Sequence, residues 1–181
     1  MTKNKRILDK SSRVITLGDI NNDNACSVIN FIYDINNEDE PKEADKRKPI
    51  QLIINSQGGS VYDGIGIVDV IEQSITPIHI YVHGQAQSMA FAIVTSGHYR
   101  YAGKRAVFMY HQVSWEMAQE KLIQHEQEVK EGKRLWKVYD DIVLTNTKIQ
   151  LKQLKQIHKE RKEWYLTAEE ALKLGVIDEI L

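Results

Sequence analysis

The sequence has few cysteines and prolines and no long apolar run, and these absences exclude several classes of protein. Its single cysteine, Cys26, has no second cysteine with which to form an internal disulfide. No apolar stretch approaches the ~20 residues that a membrane-spanning helix needs. The polar residues 1–6 are not followed by the apolar region of a signal peptide. We therefore expect a cytoplasmic protein that has no membrane partner.

An excess of charge of either sign is also missing. The 24 Lys and Arg side chains balance 25 Asp and Glu side chains, which leaves a formal net charge of −1. This balance offers no basic footprint for nucleic acid or for an anionic membrane surface. The chain has 181 residues, of which 42% are hydrophobic, and this is enough for one domain with its own core. We expect a single domain over residues 1–181.

What the sequence does contain is an alternation of short apolar strands and amphipathic helices. The predicted strands are 13–17, 50–54, 78–82, 99–101, 106–110 and 176–181. The predicted helices are 22–35, 62–74, 115–147, 149–161 and two shorter ones that start at Ser88 and after Thr167. The order of strand, glycine turn, helix and strand over residues 50–82 is typical of a βαβ unit with a right-handed crossover. The fold class is therefore predicted to be α/β with a parallel sheet.

Three segments differ from this alternation. Residues 1–12 are polar and are expected to be flexible. Residues 36–49 contain one alanine as their only apolar side chain and carry charges of both signs, which predicts a solvated loop. In residues 115–147 apolar side chains recur every three or four positions, which predicts one amphipathic helix of ~45 Å. A helix of that length exceeds the width of the domain, so we expect its far end to pack against another subunit.

Ser88 stands where the predicted strand 78–82 gives way to the apolar helix that follows. At the N-terminus of a helix the free N–H groups and the dipole favour negative charge. An oxyanion that forms beside Ser88 would therefore be stabilised by the N–H of Met89. The simpler interpretation, and the one that this segment favours when taken alone, is that Ser88 caps the helix.

Two further elements could converge on Ser88. His111 ends the strand 106–110, and the turn containing Gly58 and Gly59 follows the strand 50–54. Histidine is suited to activate a serine, and the N–H of Gly59 can approach a substrate closely because neither glycine has a side chain. Taken singly, a histidine after a strand and a double-glycine turn are each more often structural. We assign the other five histidines to structural roles. The carboxylate that would orient His111 is left open among Asp140, Asp141, Glu163 and Asp178.

Four blocks of residues, in this order and spacing, resemble the family of Clp protease proteolytic subunits. The blocks are 53–61, 84–90, 109–112, and 165–171 together with 175–178. The resemblance runs from about Arg13 to the C-terminus. It implies an α/β fold related to crotonases and a self-compartmentalised serine peptidase whose subunits form stacked homo-oligomeric rings. Peptides or unfolded proteins would be its substrates and a Clp-family ATPase its partner.

The resemblance also implies roles for individual residues. Ser88 would be the nucleophile and His111 the general base, while the N–H groups of Gly59 and Met89 would form the oxyanion hole. The helix 115–147 would be the handle that meets the opposite ring. No metal or organic cofactor is implied. Glu163 occupies the position of the family's triad aspartate and is the expected acid.

The chain departs from the family pattern at several positions. Glu163 is one methylene longer than the family's aspartate, and Gln57 replaces the proline usual before the double glycine. Residues 113–117 replace a glycine-rich segment that lines the substrate-binding strand, and the N-terminal segment that helps to dock the ATPase is shortened. These departures are similar to those of divergent members, including phage head-maturation proteases.

Two functions of other classes remain open. A crotonase-type enzyme would bind an acyl-CoA and use the N–H of Gly59 to hold an enolate. Such an enzyme does not need a serine paired with a histidine, and no adenine-binding feature is visible. A catalytically silent ring subunit would assemble with an active paralogue, and the change to Glu163 is the feature that keeps this interpretation open.

Overall fold

The computed structural model describes residues 12–112 and 122–181, which form seven strands and six α-helices around one sheet. The strands are β1 (Val14–Leu17), β2 (Ile50–Ser56), β3 (Ile78–Gln87), β4 (Tyr99–Ala102), β5 (Val107–Tyr110), β6 (Trp164–Thr167) and β7 (Glu179–Ile180). The helices are α1 (Asn22–Asp39), α2 (Val61–Gln73), α3 (Met89–Thr95), α4 (Leu122–Asn146), α5 (Leu151–Glu160) and α6 (Ala168–Lys173). A short 3-10 helix spans Ala44–Lys46. The predicted α/β class is confirmed.

Parallel strands in the order β1, β2, β3, β4 and β7 form the centre of the sheet. Residues 50–54 of β2 lie opposite residues 78–82 of β3, with α2 as the connection, which is the predicted βαβ unit. β6 pairs antiparallel with β5. The residues of α3 and the alternate apolar side chains of β2 and β3 are buried and form the centre of the core, because successive side chains of a strand point to opposite faces and one face of these strands is covered.

Strand β3 is longer than predicted and changes its partner along its length. Its first half pairs with β4, and Gln85–Gln87 pair with β5. Between the halves Gly84 has φ +92°, and a Cβ there would lie 2.7 Å from Oδ1 of Asn55. Glycine therefore permits the irregularity in register against β2. As a result, β3 and β5 end side by side, and the residues that follow them, Ser88 and His111, are neighbours.

Helix α4 is the long helix of the fold and covers ~37 Å at ~1.5 Å per residue. Leu135, Tyr139 and Val143, at intervals of four residues, are buried against the rest of the fold. Residues 115–121 of the predicted helix and residues 1–11 of the predicted flexible terminus lie outside the described residues. No helix in the described part of the chain is both long and apolar enough to cross a membrane.

The solvated loop that the composition predicts over 36–49 is found over 40–49, where every residue is exposed or half-buried, but not over 36–39. Helix α1 continues to Asp39, whose side chain is fully buried. Its carboxylate accepts two hydrogen bonds of 2.6 Å from the Arg13 guanidinium, one of 2.6 Å from Lys42 and one of 2.8 Å from the Thr76 hydroxyl. The bonds from Arg13 are the largest cause that holds the pKa of Asp39 well below its usual range. The prediction was wrong for residues 36–39, because two of these donors lie far away in the sequence.

The last strand is also shorter than the predicted 176–181. Only Glu179–Ile180 pair with β4. Gly175, at φ +69°, ends helix α6, and the N–H of Val176 donates to the carbonyl of Ala171 at 2.9 Å. Val176 therefore belongs to the helix terminus rather than to a strand.

Candidate active site

Ser88 joins β3 to α3 in a backbone conformation, φ 53° and ψ −127°, that residues with a side chain rarely adopt. Its N–H donates to the Met109 carbonyl on β5 at 2.8 Å, and its carbonyl accepts from the Phe91 N–H at 2.9 Å. Ser88 takes the N-cap position of α3, but its side chain makes no capping hydrogen bond. The interpretation of Ser88 as a helix cap is therefore wrong, and its hydroxyl has another partner.

That partner is His111, whose Nε2 lies 2.7 Å from Oγ of Ser88. The parallel register of β3 and β5 places Gln87 opposite Met109, so the residues that follow are brought together. The His111 ring is partly buried, and burial lowers its pKa below the ordinary value, while the negative charge of Glu163 opposes this shift. The imidazole is therefore neutral near pH 7, which is the form that accepts a proton.

The turn after β2 packs directly against the nucleophile. Gly58 has φ +102°, and a Cβ at this position would lie 2.7 Å from Cβ of Ser88 and 2.8 Å from the Gln87 carbonyl oxygen. Any side chain would force the turn away from Ser88, so glycine is required for this approach. The buried hydroxyl of Ser56 accepts the Gly58 N–H at 3.0 Å and fixes the turn.

The neighbours of Gly59 in the turn determine on which side its own N–H lies. The N–H of Ile20 donates to the Gly58 carbonyl at 2.9 Å, and the Ile20 carbonyl accepts from the Ser60 N–H at 2.8 Å. Successive peptide groups of an extended chain point to opposite sides, so the Gly59 N–H points away from Ile20, toward the side on which β3 lies. The Met89 N–H, as the first of α3, has no acceptor within the helix.

Glu163 reaches the vicinity of His111 but does not hydrogen-bond to it. The antiparallel pairing of Tyr110 with Trp164 brings the start of β6 beside the end of β5. Glu163 is exposed, and its Oε2 accepts from the Tyr165 hydroxyl at 2.9 Å. In the described part of the chain no hydrogen bond joins Glu163 to His111, and the two interact through their charges.

Sequence reasoning missed a polar cluster around Tyr110, the residue before His111. The hydroxyl of Tyr110 donates to Oδ1 of Asp140 and lies 2.6 Å from Nε2 of His158, and Trp136 packs edge-on against His158. Asp140, one of the four carboxylates that the sequence left open as partners of His111, is therefore bound to Tyr110. Burial raises the pKa of Asp140 and lowers that of His158. The only signal was the alternation of aromatic and polar residues along α4, which does not reveal partners on other elements.

The remaining candidate residues serve other parts of the fold. Asp178 forms an ion pair of 2.7 Å with Arg100, and Asp141 is exposed. His98 Nδ1 accepts the Ile78 N–H at 3.1 Å, in line with its structural assignment. The side chain of His125 and residues 113–117 lie outside the described residues.

A serine hydroxyl bonded to a neutral imidazole, beside a glycine turn and a helix N-terminus, is an arrangement that can transfer acyl groups. On an α/β sheet with the pair at the carboxyl ends of two strands, fold and site together define a serine hydrolase.

Comparisons with known proteins narrow this class to one family. The family model described as Clp protease matches residues 2–181. The chain is 36% identical over 148 residues to the ATP-dependent Clp protease proteolytic subunit of Streptococcus mutans, which covers 76% of this chain and 70% of that protein. The proteins of the same name from Streptococcus uberis and Lactococcus lactis are 34% and 36% identical, over 76% of this chain and 70% and 69% of their own lengths.

The chain therefore belongs to the Clp protease family. It is a serine peptidase, a hydrolase. This assignment favours the peptidase over the acyl-CoA enzyme among the functions that the sequence left open.

Proposed function

We propose that this chain hydrolyses peptide bonds by covalent catalysis, with Ser88 as nucleophile and His111 as general base. The observation that carries the proposal is the 2.7 Å separation of Ser88 Oγ and His111 Nε2. A serine hydroxyl is a poor nucleophile at neutral pH, and a neutral imidazole at this distance accepts its proton as the oxygen attacks. Because burial lowers the pKa of His111, the neutral form is available at physiological pH.

The reaction consists of two acyl transfers. Ser88 Oγ attacks the carbonyl carbon of the substrate, its proton passes to His111 Nε2, and the carbonyl oxygen becomes an oxyanion. The N–H groups of Gly59 and Met89 donate to that oxyanion. His111 then protonates the leaving amine, which leaves the acyl group esterified to Ser88. His111 finally takes a proton from water, which hydrolyses the ester and restores the hydroxyl.

Glu163 acts in this scheme as the acid that supports His111. The imidazole becomes positively charged in each transition state, and a negative charge nearby stabilises that form. Among the described residues, Glu163 is the acid whose charge raises the pKa of His111. Its side chain is exposed, so it is free to turn from the Tyr165 hydroxyl toward His111 when a substrate binds.

Replacement of Glu163 by glutamine is expected to lower kcat by about 10-fold and to move the acid limb of the pH profile to lower pH. The acid limb of the pH profile of kcat/KM reports the pKa of His111 in the free enzyme. Burial lowers this pKa below its ordinary value of 6.5. Removing the charge that raises this pKa lowers it further. Glu169→Gln, on the exposed start of α6, is the matched control and should change neither quantity. A Glu163→Gln enzyme with the wild-type rate and pH profile would show that Glu163 is not the acid that supports His111.

The names of the relatives describe the proteolytic subunit of an ATP-dependent protease. For this chain we propose stacked homo-oligomeric rings in the cytoplasm, joined through the handle helix α4. Unfolded proteins or peptides would be the substrates and a Clp-family ATPase the partner that delivers them. Light scattering should give a mass many times that of one chain, and a stable monomer would contradict the ring assembly.

The covalent step can be tested with a chromogenic ester mixed rapidly with the protein. Formation of an acyl-enzyme predicts a burst of about one chromophore per chain, followed by slower steady turnover. Acid quenching during the steady phase should preserve the acyl group as an added mass on the peptide containing Ser88. A protein that gives neither burst nor turnover would be the silent ring subunit.

A further inference from the structure

The peptide group between Ser88 and Met89 carries one of the two oxyanion donors of the proposed mechanism. A peptide group is planar, so the Ser88 carbonyl and the Met89 N–H point in opposite directions within one rigid unit. Whatever holds the carbonyl oxygen therefore also aims the N–H. Two donors hold it, the Phe91 N–H at 2.9 Å and the Tyr139 hydroxyl at 3.0 Å.

Tyr139 is a firmly held donor. Its side chain is 2% exposed, and burial raises the pKa of its hydroxyl well above the ordinary value, so the proton is retained. Among the described residues the Ser88 carbonyl is its only hydrogen-bond partner. The ring stacks on Tyr110 with the centroids 5.1 Å apart and the planes at 12°, and the Tyr110 hydroxyl is bonded to Asp140. Tyr139 therefore cannot shift its hydroxyl without disturbing several buried neighbours.

The two donors to the Ser88 carbonyl differ in the element to which they belong. Phe91 belongs to α3 and moves with that helix, so its N–H cannot fix the peptide group relative to the rest of the site. Tyr139 belongs to α4 and ties the group to a separate element. Such a tie is needed because Ser88 is held at φ 53°, a strained conformation from which a free peptide group would relax.

We propose that Tyr139 is a positioning residue that holds the peptide group between Ser88 and Met89 so that its N–H faces the oxyanion. The inference rests on the proposed function and adds a residue to it. Tyr139 touches no reacting atom and acts through the orientation of the Met89 N–H. Its loss should therefore weaken stabilisation of the transition state and leave binding of the substrate unchanged.

The test is the Tyr139→Phe variant, which keeps the buried, stacked ring and removes only the hydroxyl. We expect kcat to fall by about 10- to 100-fold with KM within about twofold of wild type, since loss of a whole oxyanion donor costs about 10²- to 10³-fold. Thr95→Val is the matched control. The buried Thr95 hydroxyl donates to the Ala92 carbonyl of the same helix α3 at 2.8 Å, away from the oxyanion site, so its loss should leave kcat unchanged.

A second readout separates positioning from general loosening of the fold. A peptide aldehyde adds the Ser88 hydroxyl across its carbonyl, and the oxygen of the resulting hemiacetal occupies the oxyanion site. Tyr139→Phe should weaken this inhibition by the factor that it removes from kcat, whereas Thr95→Val should not. If Tyr139→Phe does not fold, Tyr139→Met tests the same loss, because it keeps a large, flexible apolar side chain at this position without the hydroxyl.

The outcomes distinguish this inference from the function on which it rests. A wild-type protein without turnover would overturn the proposed function. A wild-type protein that turns over, together with a Tyr139→Phe variant of equal kcat and aldehyde affinity, would overturn the role of Tyr139 alone. A fall in kcat that Thr95→Val reproduces, or a rise in KM that accounts for the whole loss, would do the same.

Discussion

Replacement of Ser88 by alanine is expected to lower kcat for peptide hydrolysis by about 10⁴-fold or more. The variant removes the only atom that attacks the substrate, so His111 has no proton to accept and no acyl-enzyme forms. The fold should be retained, because the main-chain hydrogen bonds of Ser88 to Met109, Phe91 and Tyr139 do not involve its side chain. The residual rate would come from the oxyanion donors and from substrate binding.

The measurement is steady-state hydrolysis of a fluorogenic peptide, with Ser96→Ala as the matched control. Ser96 ends the same helix α3, and its buried hydroxyl donates to the Ile93 carbonyl at 2.8 Å, so it has no part in the site. Ser96→Ala should keep the wild-type rate to within about twofold. A Ser88→Ala enzyme that keeps a tenth of the wild-type kcat would exclude Ser88 as the nucleophile.

The largest expected effect on stability comes from Asp39. Asp39→Asn should lower the free energy of unfolding by about 3–5 kcal/mol, because it removes the negative charge that compensates Arg13 in a buried ion pair. Asp45→Asn is the matched control in the same segment. Asp45 is 69% exposed and pairs with an equally exposed Lys46, so its loss should cost no more than about 0.5 kcal/mol. Urea unfolding of the two variants measures the difference.

The contribution of Asp39 also has a predicted pH dependence. Its pKa in the folded state is held far below the ordinary value of 3.8, so the unfolded state binds the proton first. The stabilisation is therefore complete above about pH 5 and is lost as the pH falls toward the lowered value. The stability difference between wild type and Asp39→Asn should shrink in acid. A difference that is constant from pH 7 to pH 3, or one as small as that of Asp45→Asn, would contradict the buried ion pair.

Much of the catalytic arrangement was predictable because it depends on local signals at the ends of strands. Parallel strands end at one edge of a sheet, so a serine after β3, a histidine after β5 and a glycine turn after β2 were expected to meet there. The 2.7 Å contact of Ser88 with His111 fits this expectation. The pairing of β5 with the second half of β3 was not foreseen, because the irregularity at Gly84 depends on the approach of Asn55.

The features that sequence reasoning missed are polar contacts between distant residues. Asp39 lies in a segment whose composition is that of a loop, and its burial depends on Arg13 and Thr76, 26 and 37 positions away. Tyr139 follows the apolar stripe of α4, and the stripe shows that the ring is buried but not that its hydroxyl reaches Ser88. Periodicity reports which face of a helix is covered and contains no information on hydrogen-bond partners.

Mass spectrometry of the protein after treatment with a fluorophosphonate shows whether Ser88 is an activated nucleophile. We expect one phosphonyl group per chain, on the peptide that contains Ser88, and no adduct in Ser88→Ala. A folded wild-type protein that takes up no phosphonyl group, or takes it up at another residue, would contradict this role of Ser88.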